Sequence, residues 1–156
     1  MPYNCTMKNS TLRRWLIEII AALLIILFIY AAASKLLDYQ KFKVQIGQSP
    51  ILTKFAGFVA WFIPTVEIFI SVMLANARFR LVGLYASFTL MIVFTTYIVV
   101  ITRFTEYIPC SCGGILDNMS WSMHLLFNIF FCLLAMAGIL LHNHQQEKKQ
   151  TTFLLQ

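Results

Sequence analysis

The chain has 156 residues, 60% of them hydrophobic and 12% charged, with a net charge of +6. Soluble domains carry about 25% charged residues, so this balance, with a mean hydropathy of +0.76, excludes an ordinary soluble enzyme. The Lys and Arg residues sit at the ends of apolar runs and in connectors, where they meet headgroups and set topology; the positive charge therefore does not point to nucleic acid.

Four apolar runs are long enough to cross a bilayer as helices: residues 15–37, 55–75, 81–101 and 122–142. A lipid-embedded span must satisfy its own backbone polar groups, which makes helix the expected form. The predicted fold class is all-α: one integral membrane four-helix bundle over residues 1–156, surrounded by the lipid bilayer, with a polar tail at 143–156. With the N-terminus inside, the inner side holds Lys8, Arg13, Arg14, Arg78, Arg80, Lys148 and Lys149. The outer side then holds Lys35, Lys41, Lys43, Lys54 and Arg103. The excess of inner charge favours cytoplasmic termini and an outward loop at 102–121. The localisation read from this is the bacterial inner membrane.

The N-terminal segment carries Cys5, read as an ordinary reduced thiol. Basic residues, an apolar stretch and "AAAS" at 31–34 also have the outline of a cleavable signal peptide. The apolar stretch is long for one and contains Glu18, which favours a retained span. Arg14 and Glu18, four residues apart, are expected to pair at the inner end of that span.

The connector at 34–54 mixes basic and apolar residues, as an interfacial helix does. "KFKVQI" alternates and would also suit a short extended piece. Gly47 and Pro50 are expected to close the connector.

The second span contains Pro64, which should kink it, and Glu67 well inside the apolar run. A carboxylate at that depth must be neutral, paired or turned into the bundle, and is a functional candidate by default. The bland alternative is a protonated Glu67 that serves packing alone. Ser71 lies one turn further on the same face. In the third span Ser87, Thr89, Thr95 and Thr96 read as packing residues that bond back to their own helix.

The fourth span places His124, Asn128 and Cys132 four residues apart in turn. That polar stripe should face the bundle. Cys132 lies about 12 Å along the helix from His124 and reads as a small buried hydrophobe. His124 reads either as a packed interfacial residue or as a group acting on the loop thiols. "HNH" at 142–144 is a poor metal signal, and the tail beyond is expected to fray.

The strongest chemical feature is "PCSCGG", residues 109–114, in the polar loop before the fourth span. Cys110 and Cys112 can bridge only with unusual backbone geometry. A strained, exposed disulfide is oxidising and labile. Gly113 and Gly114 add backbone freedom, and Pro109 holds Ile108 extended. Three readings compete. A thiol–disulfide exchange pair fits the spacing best. A structural bridge would close too small a loop to gain much chain entropy. A metal site with His124 would be one ligand short of closed tetrahedral zinc.

The stretches "ASKLLDYQKF", "PTVEIFISVML" and above all "PCSCGG" resemble the MauE/DoxX-like family of small four-helix membrane proteins over most of the chain. The resemblance implies a membrane bundle with a redox-associated role: disulfide formation or maturation of exported proteins for MauE-type members, quinone-linked sulfur oxidation for some DoxX-like ones. It implies Cys110 and Cys112 as the redox pair and Glu67 as the acid of the second span.

The expected function is therefore a membrane thiol–disulfide redox protein, with Cys110 and Cys112 catalytic and Glu67, His124 and Asn128 supporting. Its partner would be a periplasmic or exported thiol protein, for instance a thioredoxin-like one, supplied as a separate chain. No bound cofactor is read from the residues; quinone enters by analogy with membrane disulfide-generating enzymes. The alternatives are a non-catalytic accessory subunit or scaffold of a redox complex, and a small transporter using Glu67.

Overall fold

The computed structural model describes residues 3–48, 53–104 and 121–154. Its elements in chain order are α1 (Tyr3–Leu37), α2 (Tyr39–Gln48), a 3-10 turn at Thr53–Phe55, α3 (Ala56–Ala75), α4 (Arg80–Phe104) and α5 (Trp121–Leu154). No strand occurs among the described residues. Four helices are long and apolar enough to cross a membrane, over Thr11–Leu37, Thr53–Ala75, Arg80–Val100 and Ser122–Gln146. The all-α membrane bundle expected from the hydropathy pattern is the fold observed.

Each span buries one stripe at helical spacing and turns the rest outward, as a helix between core and lipid must. On α1 the stripe is Ile17, Ile20, Ala21, Leu24, Phe28 and Ala32, while Trp15, Ile19, Ile26 and Ile29 are exposed. On α3 it is Ala56, Ala60, Pro64, Glu67, Ile70, Ser71 and Leu74. The core joins Leu24 and Phe28 to Ile70, Leu74, Leu84, Met91, Cys132 and Ala135. Each span packs against the next in the chain, and α5 closes the ring against α1.

Individual contacts fix the directions. Lys35 meets Glu67 and Glu18 meets Arg80, so α1 and α3 run antiparallel and α4 begins beside Glu18, near the middle of α1. Thr95 faces Cys132, and Asn143 reaches Tyr85, so α4 and α5 are antiparallel too. The result is an up-down-up-down bundle. The α3–α4 turn is short: Asn76 Oδ1 accepts from the Arg78 backbone N–H at 3.0 Å, and the Asn76 carbonyl accepts from Phe79 N–H at 3.0 Å. The two helices approach closely beside it. A Cβ on Gly83 would stand 3.0 Å from the Leu74 backbone nitrogen, and one on Gly138 would stand 3.0 Å from Leu84 Cδ2.

Several expectations need correction. Of the two readings of the connector the helical one holds and the extended one does not: "KFKVQI" lies within α2, which seats Phe42 and Ile46 on Ala56 and Ala60 of α3 and leaves Lys41, Lys43 and Val44 exposed. Gly47 lies inside α2 instead of closing it, and Pro50 is outside the described residues. The polar tail does not fray at Asn143; α5 continues to Leu154, because "HNHQQEKKQTTF" contains no Gly or Pro and is rich in helix formers. Glu18 pairs with Arg80 of α4, Nη1 to Oε1 2.6 Å, and not with Arg14 of its own helix. A link between helices gains what an exposed i,i+4 pair cannot, since Arg80 Nε also donates to the Leu74 carbonyl at 3.3 Å. Pro64 lies inside α3, on its buried face, without ending the helix.

Candidate functional site

The most polar part of the bundle interior is built around Lys35. Lys35 sits on the buried stripe of α1, one turn beyond Ala32, and is 9% exposed. Long helical side chains lean toward the N-terminus of their own helix. α1 and α3 are antiparallel, so Lys35 and Glu67 lean toward each other and their charged ends meet. Lys35 Nζ donates to Glu67 Oε1 at 2.7 Å and to the Ala31 carbonyl at 3.2 Å. The ammonium also lies 5.8 Å from the ring centroids of Phe42 on α2 and Phe94 on α4, within the range of cation–π attraction.

Glu67 is 0% exposed, and its second oxygen, Oε2, is buried without a hydrogen-bond donor among the described residues. Ser71 Oγ, one turn on, donates to the Glu67 carbonyl at 2.9 Å, so it serves its own helix and not the carboxylate. The Lys35 charge also acts on His124, in the first turn of α5. Lys35 thus meets residues of α1, α2, α3 and α4.

The polar stripe of α5 does face the bundle. Asn128 and Cys132 are buried and His124 is half-buried. Asn128 Nδ2 donates to the His124 carbonyl at 3.2 Å. Cys132 stands 3.8 Å from Thr95 Oγ1, which itself donates to the Met91 carbonyl at 2.7 Å. Ser87 and Thr89 likewise donate to the Gly83 and Tyr85 carbonyls. Cys132 therefore sits in a packed, weakly polar contact between α4 and α5. Among the described residues no three His, Cys, Asp or Glu side chains gather as metal ligands.

Cys110 and Cys112, with Pro109, Gly113 and Gly114, lie outside the described residues. Their segment joins Phe104 to Trp121, the ends of α4 and α5 at the His124 end of the bundle. Of the supporting residues read from the sequence, Glu67 is the one that Lys35 contacts; His124 lies on α5 with no contact to that pair among the described residues. Asn128 is adjacent through its own helix.

Lys35, Phe42 and Phe94 were missed. Lys35 was counted as an outward charge anchoring the end of the first span; it turns inward because a buried carboxylate needs a donor and no other described cation reaches it. Its place on the stripe Leu24, Phe28, Ala32, Lys35 was the available signal.

The family model described as methylamine utilisation protein MauE matches residues 13–141. No curated protein and no solved structure matches the chain. The match supports the MauE side of the resemblance, whereas the DoxX-like side rests on the span motifs alone. The core begins at Ile17 and its last member is Ile139. The match therefore encloses the buried core of the described residues, and the chain belongs to the MauE family.

Proposed function

We propose that this MauE-family membrane protein exchanges thiols and disulfides with exported proteins through Cys110 and Cys112, and so supports their oxidation or maturation. The observation that carries the reading is a coincidence of place. The close thiol pair belongs to the segment between α4 and α5, and at that end the bundle keeps a buried charged centre that packing alone does not require.

In the exchange, a thiolate of the exported protein attacks the Cys110–Cys112 disulfide at Cys110. That S–S bond breaks and a mixed disulfide forms. The second thiol of the exported protein then attacks the mixed disulfide, leaving that protein oxidised and Cys110 and Cys112 as thiols. His124, twelve residues beyond Cys112, is the nearest histidine along the chain and could take or return a thiol proton.

The reading places the protein in the bacterial inner membrane with both termini in the cytoplasm. The division of basic residues, seven inside to five outside, supports that orientation.

The test is alkylation of the thiols in native membranes, read as a gel shift, before and after added dithiol or oxidant. Cys110 and Cys112 should move between two redox states. In Cys112→Ser, the Cys110 thiolate should attack the disulfide of the oxidised exported protein, release one of its two sulfurs as a thiol and stay trapped as a mixed disulfide. A pair that stays in one state under every condition overturns the proposal. If Cys110→Ser/Cys112→Ser supports partner maturation as wild type does, an accessory-subunit role replaces it.

A further inference from the structure

The Lys35–Glu67 pair is costly and unexplained by stability. Exchanging a buried ion pair for apolar residues of similar volume is often neutral or stabilising, and ionisable groups inside spans mark functional sites. The geometry of this pair is also incomplete in a particular way. Glu67 Oε2, on a side chain with no exposed surface, has no donor among the described residues. The ammonium has three N–H groups. Two go to Glu67 Oε1 and the Ala31 carbonyl, and what remains faces the Phe42 and Phe94 rings at 5.8 Å.

An unfilled acceptor thus lies beside a loosely used donor, against aromatic rings, within the spans. That is the complement of a group presenting a hydroxyl in one redox state and a carbonyl in the other. The hydroxyl donates to Glu67 Oε2; the carbonyl accepts from Lys35 Nζ. The surrounding hydrocarbon and ring faces select a flat, lipid-soluble carrier over a water-soluble one. We propose that Lys35 and Glu67 form the head-group site for a membrane quinone, benzoquinone or naphthoquinone in type, that reoxidises the thiol pair.

The inference rests on the thiol–disulfide reading for its purpose, but binding at Glu67 is measurable without it. When bound, the carrier supplies a two-electron oxidation: the S–H bonds of Cys110 and Cys112 break, their S–S bond forms, and two electrons and two protons pass to its two carbonyl oxygens. Glu67 and Lys35 hold the head group in both states and settle which oxygen meets a donor and which an acceptor.

The test titrates protein in quinone-free nanodiscs with decylubiquinone and a short-chain menaquinone analogue, each oxidised and reduced. Binding is read as a saturable rise in unfolding temperature and as the crosslinking position of an azido-quinone. Wild type should bind saturably, with crosslinks on α1 and α3. Glu67→Gln places an NH2 where Oε2 stands, so it should weaken the reduced form by about tenfold or more and the oxidised form less. Lys35→Met/Glu67→Leu strands no charge, should fold, and should bind neither form. Cys110→Ser/Cys112→Ser should bind as wild type. Absence of saturable binding by wild type overturns the proposal, as does unchanged binding by both Glu67 variants. If the thiols prove inert while Glu67-dependent binding persists, the thiol reading falls and the site stands; if the thiols exchange but no quinone binds, the reverse holds.

Discussion

Lys35→Met should be among the most damaging single substitutions in the bundle. Among the described residues Glu67 Oε1 has one donor, Lys35 Nζ at 2.7 Å, and Oε2 has none. Removing Lys35 leaves a carboxylate with no exposed surface and no donor on either oxygen. Stranding one partner of a buried ion pair costs about 3–5 kcal/mol, two to three powers of ten or more in the folding equilibrium. Lys35→Met/Glu67→Leu removes both charges and should range from neutral to about 1–4 kcal/mol more stable than wild type. The second substitution therefore rescues the first. The assay is equilibrium unfolding in mild-detergent micelles titrated with a denaturing detergent, followed by tryptophan fluorescence and circular dichroism. Lys35→Met within about 0.5 kcal/mol of wild type would refute the reasoning, as would a double variant no more stable than the single one.

Arg80→Met removes the partner of Glu18, but the Glu18 side chain is 43% exposed; the loss should stay within about 1 kcal/mol in the same titration. Gly83→Ala and Gly138→Ala should differ. At Gly83 the new methyl meets the Leu74 backbone, which cannot rotate away, and about 1–3 kcal/mol is lost to overpacking. At Gly138 it meets the ends of Leu84 and Ile20, so the loss should be smaller; equal losses would contradict the packing argument. Cys132, buried against Thr95, should resist a membrane-impermeant maleimide in native membranes and react after unfolding. Rapid native labelling would show that the α4–α5 contact is open.

The spans were legible because a bilayer leaves few choices: a charge-free run of about twenty residues has to be helical, and α3 and α4 begin and end within a few residues of the expected bounds. The ends of α1 and α5 were not legible, because hydropathy stops where lipid stops and a helix does not. Glu67 was visible as a lone acid in hydrocarbon, but its partner was not. A lysine at a span end looks the same in sequence whether it reaches out to headgroups or back into the bundle. Only its spacing from Leu24 and Phe28, read together with a carboxylate on the facing helix, separates the two. The Glu18–Arg80 link escaped for a related reason: an i,i+4 neighbour is always in view, whereas a partner sixty-two residues away appears only once the helices are packed.

The order of helices also sets a sequence of events during synthesis. Spans one and two form a hairpin, α1 with α3, and spans three and four form another, α4 with α5. The first hairpin contains both members of the Lys35–Glu67 pair, so that charge can be neutralised in the bilayer before the second hairpin has left the ribosome. Cys110 and Cys112 are made later, between the last two spans. Cys110 and Cys112 thus emerge into a membrane where Lys35 and Glu67 can already have paired, while His124 follows them on the last span.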